Sequence, residues 1–323
     1  MRFNDTRAAE NAMLHAAKSA AGTAIDRGET SMPAPKKNGG PRPAEGEKSI
    51  PGGKTVLVEI ADGIAWVTLN RPEKRNAISP ELSAEMIAVL DALEPDQRVG
   101  VLVLTGAGNS YCAGMDLKEF FRASDPLSAE ERAVFTRASA QWQWRRLSYY
   151  MKPTIAMVNG WCFGAGFNSV VACDLAIAAN EASFGLSEIN WGMIPAGNVL
   201  KATVATMNRR DSLYYTMTGE TFNGKKAAAM GFVNEAVPLT KLKKRVTDLA
   251  KVLLDKNPTT LRQAKHACKR IIDMDWDASE DYLFAKIDQM RFLDPEQGRQ
   301  RAMRQFLDEK TYRPGLGNYK RDA

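Results

Sequence analysis

Two segments of the chain carry residues whose types and spacing suit chemistry on a negatively charged intermediate. Residues 159–168 read NGWCFGAGFN and follow an apolar stretch at 154–158, a pattern that predicts a strand, a tight glycine turn and a helix start. The N–H groups at a helix start lack partners and stabilise a developing oxyanion. The second segment places Glu188 among apolar neighbours. Such surroundings favour a raised pKa and general acid–base work.

A third segment strengthens this interpretation. Residues 113–116 read AGMD and also follow an apolar run, at 99–105. Taken singly, glycine-rich turns are mostly ordinary turns, and a glutamate between apolar residues is more often half-exposed with a surface partner. Two strand–turn–helix units in one chain, however, can place two backbone N–H groups side by side.

These segments resemble the crotonase superfamily, which contains enoyl-CoA hydratases and isomerases. The resemblance implies that the backbone amide of Met115, in the motif from Ala113 to Asp116, forms half of an oxyanion hole. It assigns the other half to the amide of Ala165, in the middle of the glycine-rich triplet. Because the donors are backbone groups, an alanine is tolerable there if its φ is negative. The match covers about residues 54–320.

A fourth segment extends the resemblance to the binding of coenzyme A (CoA). Residues 70–77 read NRPEKRNA and resemble the segment that lines the CoA site in this superfamily. The resemblance implies that Lys74 and Arg71 contact the CoA phosphates and adenine, where a lysine acts as a point charge. The alternative for each is an ordinary solvated surface charge. We also count Ala113 and Asp116 among the expected substrate-binding residues.

The catalytic carboxylate shows a departure from part of the superfamily. Hydratases that only add water usually carry two glutamates. One of these matches Glu188, whereas the other falls at Asn168, which can neither take up nor supply a proton. We therefore expect a single general acid–base. Asn168 is expected either to hydrogen-bond a water or substrate hydroxyl, or to satisfy local backbone at the helix start.

Aromatic residues cluster near these motifs in the sequence. Each alone suits core packing, but together they are compatible with a slot for an aromatic ring. Residues 114–122, 141–144, 158–164 and 185–192 resemble the hydroxycinnamoyl-CoA hydratase-lyase subgroup. The aromatic residues concerned are Tyr111, Phe120, Phe121, Tyr150, Trp161 and Trp191.

The ring pocket shows one departure from that subgroup. The subgroup holds the ring hydroxyl of its substrate with two tyrosines, and the motifs place Phe120 and Phe284 at those positions. Phenylalanine keeps the apolar wall but lacks the O–H group, and the loss of such a partner weakens selectivity for a phenolic substrate. Either Tyr111 or Tyr282 compensates, or the true substrate has a different ring.

The resemblance implies a lyase that hydrates an aryl-enoyl-CoA, such as feruloyl-CoA, and then cleaves it to a vanillin-type hydroxybenzaldehyde and acetyl-CoA. It implies no metal and no redox cofactor, since CoA is part of the substrate. It also implies a homotrimer or hexamer. Two alternatives stay open: a hydratase or isomerase acting on another acyl-CoA, and a nucleic-acid-binding relative.

The composition excludes several other classes of protein. The 323 residues are 44% hydrophobic and 25% charged, with no apolar run long enough for a membrane-spanning helix. Two histidines argue against a histidine-based triad or metal site. The four cysteines lack C-x-x-C spacing and suit free thiols in a reducing compartment, which predicts a cytoplasmic protein. The net charge of +6 suits CoA as well as nucleic acid, which we expect only as a minor possibility.

We expect an α/β fold with three regions. Residues 1–53 are rich in Ala, Gly, Pro and charged residues and predict a disordered basic extension. Residues 54–240 form the predicted core, and the resemblance implies a spiral of ββα turns that periodicity does not show. Residues 241–323 predict a C-terminal helical region for oligomerisation. The patterns predict strands at 55–60, 64–69, 99–105, 154–158, 175–179 and 232–236, and helices at 80–93 (capped by Ser79), 128–150, 240–255, 259–273, 277–292 and 296–308.

Overall fold

The chain passes repeatedly between two β-sheets, and this path brings distant motifs of the sequence together. A computed structural model describes residues 52–315 and 317–321. Within this part of the chain the strands are β1 (Val56–Ala61), β2 (Ile64–Leu69), β3 (Val101–Gly106), β4 (Ser110–Cys112), β5 (Thr154–Val158), β6 (Trp161–Phe163), β7 (Leu175–Ala179), β8 (Ser183–Gly185), β9 (Thr221–Asn223) and β10 (Glu235–Val237).

The larger sheet has the strand order β1-β2-β3-β5-β7-β10. Strands β1 and β2 form an antiparallel hairpin around Asp62 and Gly63, whose φ angles of 51° and 77° match a two-residue hairpin turn. All other neighbours in this sheet are parallel. Every residue of β3 and β5 is buried, which explains their continuous apolar sequences.

The smaller sheet has the order β4-β6-β8-β9 and supplies the second wall of the spiral. Strands β4, β6 and β8 are parallel to one another, and each directly follows a strand of the larger sheet in the sequence. The chain therefore winds as a spiral that adds one strand to each sheet per turn, which confirms the fold implied by the resemblance. Sequence patterns missed these strands because three residues are too few to show a period.

The helices complete the spiral and form the C-terminal region. The predicted helix at 128–150 is wrong in part, because α2 ends at Ala140 and residues Gln141–Arg146 are π-helical. The predicted strand at 232–236 begins later, as β10. The helices of the described residues are α1 (Pro80–Leu93), α2 (Ala129–Ala140), α3 (Gly166–Ala172), α4 (Val199–Thr206), α5 (Arg209–Thr218), α6 (Gly224–Ala229), α7 (Leu239–Leu254), α8 (Pro258–Ile271), α9 (Trp276–Leu293) and α10 (Gly298–Leu307).

A cluster of aromatic rings fixes α3, the short helix behind the glycine-rich turn. Phe167 on α3 is fully buried and lies 4.5 Å from Phe232 and 6.2 Å from both Phe184 and Phe222, measured between ring centroids. Large buried rings restrict the helix through close packing. The backbone at the start of α3 is therefore held by contacts from three later segments of the chain.

The boundaries of the predicted regions stay predictions. The expected disordered extension at 1–53 lies outside the described residues except for its last two positions. The four helices α7–α10 follow the core, as the sequence patterns predicted. Within the described residues no helix is long and apolar enough to span a membrane.

Candidate active site

The loop that carries Met115 is fixed on one side and open on the other. Ile78 donates its N–H to the carbonyl of Gly114 at 2.8 Å and accepts a hydrogen bond from the N–H of Asp116 at 3.0 Å. In this parallel bridge the groups of the intervening residue point away from the partner. The Met115 N–H thus points away from Ile78 and has no acceptor among the described residues.

The second amide lies at the turn between β6 and α3. Gly164 has a φ of +49° and donates its N–H to the carbonyl of Gly185 at 3.2 Å. The next residue, Ala165, has a φ of −60°, so its side chain is accommodated without strain. Its N–H has no acceptor within the described part of the chain. The two turns are in contact, because a Cβ atom added to Gly114 lies only 3.4 Å from the Ala165 nitrogen.

Glu188 lies against the same glycine turn. It belongs to the 3₁₀ helix Ser187–Trp191, which follows β8. One carboxylate oxygen, Oε1, is 2.6 Å from the position of a Cβ atom added to Gly164, and the other, Oε2, is buried without a hydrogen-bond partner. Burial raises the pKa of the Glu188 carboxyl above its ordinary value, against the opposing effect of a backbone hydrogen bond. The site therefore combines two free amides with one proton-accepting carboxylate.

Asn168 lies one turn of α3 beyond Ala165 and is 3% exposed. Its Nδ2 donates to the carbonyl of Gly197 at 2.8 Å, which ties α3 to the loop after Glu188. Its Oδ1 is buried without a partner. This bond reaches a distant loop and not the local backbone at the helix start, and the free oxygen leaves an acceptor for a hydroxyl donor.

Arg71 has a different environment from the expected CoA site. Its side chain is 8% exposed. Its guanidinium donates to the carbonyl of Ala77 at 2.7 Å, to Asp116 at 3.1 Å and to Glu119 at 2.7 Å. The guanidinium is therefore engaged by protein groups inside the fold, whereas the expected contact of Arg71 with CoA stays a prediction. Lys74 is exposed, and its expected contact with a CoA phosphate stays a prediction.

An adjacent residue, Arg75, was missed by the sequence reasoning. Its guanidinium carbon lies 4.3 Å from the ring centroid of Trp161, which stacks on Phe163 with a centroid distance of 5.1 Å. Its carbonyl accepts the N–H of Ala113 at 2.9 Å. Trp161 is partly exposed, so an aromatic ring with the Arg75 guanidinium packed on it lies at the surface, and Arg75 is next in sequence to Lys74. The only sequence signal was the basic pair within the NRPEKRNA motif.

An apolar wall connects the Met115 turn with the Glu188 segment. Phe120 is buried and lies 5.1 Å from Phe135 and 5.2 Å from Phe121, while Phe121 is 5.7 Å from Trp191, measured between ring centroids. Phe120 follows Met115 by five residues and Trp191 follows Glu188 by three. The wall therefore spans both halves of the site, as an aryl pocket requires.

Two tyrosines near the motifs belong to the core. Tyr111 is fully buried with its hydroxyl 3.0 Å from that of Ser169, and burial raises its pKa well above the ordinary value. Tyr150 donates to the carbonyl of Leu90 at 3.1 Å. The suggestion that Tyr111 compensates for a missing ring-binding hydroxyl is contradicted, because this hydroxyl is sequestered with Ser169.

Phe284 is not brought to this wall within one chain. It lies on α9, is 62% exposed, and shares an open groove with Trp276 and Ile287. Tyr282 is on the same helix, beneath the Lys286 ammonium. The aryl wall of a single chain thus contains Phe120 but not Phe284.

The sequence matches a known protein family over most of its length. Residues 59–312 match the family model described as enoyl-CoA hydratase/isomerase. The chain belongs to this enzyme family. This confirms the resemblance to the crotonase superfamily, and the match covers most of the region in which we expected it.

Two curated members of the family illustrate the range of similarity. A hydroxycinnamoyl-CoA hydratase-lyase from Pseudomonas fluorescens is 60% identical over 268 residues, which cover 83% of this chain and 97% of the relative. A putative enoyl-CoA hydratase from Thermus thermophilus is 35% identical over 212 residues, or 65% of this chain and 82% of the relative. The resemblance to the hydratase-lyase subgroup is confirmed.

Solved structures support the same fold. An enoyl-CoA hydratase subunit I from Geobacillus kaustophilus aligns with a TM-score of 0.71 at 27% identity, covering 79% of this chain and 95% of that one. An enoyl-CoA hydratase from Bacillus anthracis aligns with a TM-score of 0.70 at 25% identity, covering 80% and 98%. The mixed α/β architecture of this family member is thus that of crotonase structures.

Proposed function

We propose that this enzyme is a lyase that hydrates a hydroxycinnamoyl-CoA thioester, such as feruloyl-CoA, and cleaves the adduct to a hydroxybenzaldehyde and acetyl-CoA. The observation that carries the proposal is one buried carboxylate, Glu188, beside two unpaired backbone amides. An asparagine stands where a second carboxylate would serve simple hydration. The high identity to a hydroxycinnamoyl-CoA hydratase-lyase supports the same reaction.

The first stage adds water to the Cα=Cβ bond. The thioester oxygen accepts hydrogen bonds from the amides of Met115 and Ala165, which stabilise the enolate that forms when water attacks Cβ. Glu188 takes a proton from this water and then delivers a proton to Cα. The carboxylate is thereby regenerated, and the product is the β-hydroxy thioester.

The second stage reverses an aldol addition. Glu188 removes the proton from the β-hydroxyl, the Cα–Cβ bond breaks, and its electron pair forms the enolate of acetyl-CoA in the same pair of amides. The aldehyde forms at Cβ. Glu188 then protonates the enolate carbon, so each stage returns the enzyme to its starting protonation state.

Asn168 suits this scheme as an acceptor that does not exchange protons. Its Oδ1 faces no protein donor, whereas its Nδ2 is held by Gly197. A water molecule that donates one proton to this oxygen is oriented with a lone pair towards Cβ and its other proton towards Glu188. The same oxygen can hydrogen-bond the β-hydroxyl in the second stage. Proton transfer then depends on Glu188 alone.

The CoA moiety is proposed to bind beside residues 71–77. Lys74 supplies an exposed positive charge for phosphate, and the Arg75–Trp161 stack supplies an aromatic face. The aryl wall and the backbone of Ala113 and Asp116 are proposed to line the remaining path to Glu188. The chemistry needs no metal or redox cofactor, because every step is a proton transfer or an electron-pair shift within the substrate.

The helix α9 supports a proposal of self-association. Its exposed side chains include Trp276 at 90%, Phe284 at 62% and Ile287 at 42% exposure. A large apolar face on one helix suits burial against another copy. We therefore retain the homotrimer or hexamer, in which Phe284 serves a neighbouring copy. A cytoplasmic location is proposed with it, since the four cysteines are free thiols.

A simple hydratase acting on another acyl-CoA is the second candidate, favoured by the Thermus relative's description as a putative enoyl-CoA hydratase. Product analysis separates the two. Purified enzyme given feruloyl-CoA is expected to release aldehyde and acetyl-CoA, whereas a hydratase stops at the β-hydroxy thioester.

The role of Glu188 is tested with the isosteric variant Glu188→Gln. Removal of the sole proton-transfer group is expected to lower kcat by about 100-fold or more. Glu220→Gln is the matched control, because Glu220 is exposed and, within the described residues, its carboxylate accepts a hydrogen bond only from the Tyr214 hydroxyl. Full turnover by Glu188→Gln contradicts the mechanism.

A further inference from the structure

Two loops, residues 70–78 and residues 107–116, are joined by hydrogen bonds next to the Met115 amide. The side-chain amide of Asn76 donates to the carbonyls of Ala107 at 3.0 Å and Ser110 at 2.7 Å, and its Oδ1 accepts the N–H of Arg71 at 2.8 Å. Together with the Arg75–Ala113 bond and the two Ile78 bonds already described, the bonds to Ala107 and Ser110 join residues 75–78 to residues 107–116 at five points. The proposed CoA-binding loop and the Met115 loop are therefore bonded directly to each other.

The backbone of this unit is strained. Arg75 and Asn76 are consecutive residues other than glycine with φ angles of 50° and 57°, in the left-handed region. Such a conformation persists only where its surroundings impose it, and it is concentrated at functional sites. The bonds of Asn76 and the Arg75–Ala113 bridge are the contacts that impose it here.

Asp116 is the centre of the connection to Met115. Its Oδ1 accepts the N–H groups of Lys118 at 3.0 Å and Glu119 at 2.9 Å, while its Oδ2 receives Arg71. Burial alone raises the pKa of Asp116, but these backbone donors and the guanidinium outweigh it and hold the pKa below its ordinary value. The carboxylate is thus ionised, and it lies on the residue that follows the Met115 amide.

We propose that Arg71 is a positioning residue that acts through Asp116 to aim the Met115 N–H at the thioester oxygen, and so couples the CoA-binding loop to the oxyanion hole. This inference rests on the proposed role of Met115. Ile78 bonds the peptides on both sides of Met115, and the Arg71 pair anchors the side chain of Asp116, the next residue, against the same loop. Loss of Arg71 removes this side-chain anchor without removing the N–H itself.

The position predicts an effect on catalysis rather than on binding. A donor aimed at the oxyanion acts mainly in the transition state, so its misalignment lowers kcat and leaves KM nearly unchanged. A direct phosphate contact acts on ground state and transition state alike, and its loss raises KM. If Arg71 contacts a CoA phosphate, its loss raises KM. If Arg71 positions the Met115 loop, its loss lowers kcat.

The test uses Arg71→Gln, Asp116→Asn and the double variant, assayed with feruloyl-CoA. Asparagine retains an oxygen that accepts the Lys118 and Glu119 N–H groups but loses the ion pair. We expect each single variant to lower kcat at least tenfold with KM within about twofold, and the double variant to be no worse than the poorer single one. Arg321→Gln, which breaks a half-buried pair with Glu296, is the control for a loss of stability without a loss of kcat.

A spectroscopic measurement isolates the oxyanion hole. Feruloyl-CoA bound to Glu188→Gln is expected to absorb at longer wavelength than in solution, because two hydrogen bonds polarise its conjugated carbonyl. Adding Asp116→Asn to Glu188→Gln is expected to reduce this shift in absorption at saturating feruloyl-CoA. If Asp116 only stabilised the fold, the shift at saturation would stay the same.

Each contrary outcome has a separate meaning. A raised KM with unchanged kcat, or a lowered melting temperature with normal kcat and an undiminished shift, overturns the positioning role of Arg71. Absence of both turnover by the wild-type protein and any shift with Glu188→Gln instead overturns the proposed function.

Discussion

Gly164→Ala tests the contact between the glycine turn and the catalytic carboxylate. A Cβ atom at this position falls 2.6 Å from Oε1 of Glu188 and 3.4 Å from its carboxyl carbon. An ordinary contact begins at 3.4 Å, so the oxygen has to retreat by about 0.8 Å. The φ of +49° adds backbone strain for any residue with a side chain.

The two effects have different magnitudes. Left-handed strain costs about 1–2 kcal/mol and lowers the melting temperature by a few degrees. Misplacement of a reacting group by about 1 Å costs on the order of 100-fold in rate. We therefore expect Gly164→Ala to lower kcat about 10- to 100-fold while most of the protein stays folded at 25 °C.

The assay measures aldehyde release from feruloyl-CoA alongside thermal unfolding. Gly192→Ala is the matched control, since Gly192 has a φ of +81° but no atom within 4 Å of an added Cβ. It shares the strain without the clash, so we expect a similar loss of stability and nearly normal kcat. Equal kcat values for the two variants refute the argument from carboxylate displacement.

Three further predictions concern the carboxylate, the aryl wall and the exposed helix. Burial raises the pKa of Glu188 above its ordinary value, so kcat/KM is expected to fall as the pH is lowered through this raised pKa, where the carboxylate becomes protonated. The folded state also binds this proton more tightly than the unfolded state, so the free energy of unfolding is expected to decrease as the pH rises through the folded pKa. Glu188→Gln is expected to remove both effects. Phe120→Tyr is expected to raise the ratio of kcat/KM for coumaroyl-CoA over cinnamoyl-CoA by about tenfold or more, whereas Phe306→Tyr, on an exposed part of α10, leaves the ratio unchanged. Leu283→Asp on the exposed face of α9 is expected to shift a trimer or hexamer towards monomer in analytical ultracentrifugation, and an unchanged assembly contradicts the proposed interface.

The long elements of the fold were predictable because they show a sustained pattern. Strands β2, β5 and β7 have the predicted bounds, and the C-terminal helices differ from prediction by at most two residues at each end. The smaller sheet was not predictable, since its strands are only three residues long. The π-helical break at Gln141–Arg146 was also missed, because residues 128–150 contain no glycine or proline that would mark an interruption.

The site was predictable where backbone motifs define it. The resemblance singled out Met115, Ala165 and Glu188, and the structure places their turns in contact. The burial of Arg71 was not predictable, because its ion pairs join residues 45 and 48 positions apart. The sequence of the motif alone does not show whether an arginine binds a ligand phosphate or a buried carboxylate from another segment.

The most direct test of hydration followed by cleavage follows feruloyl-CoA with purified enzyme in D₂O. The mechanism predicts aldehyde and acetyl-CoA in equal amounts, with two solvent deuterons in the acetyl methyl group, one from each protonation of Cα. Accumulation of the β-hydroxy thioester with one deuteron and no aldehyde contradicts the lyase and identifies a hydratase.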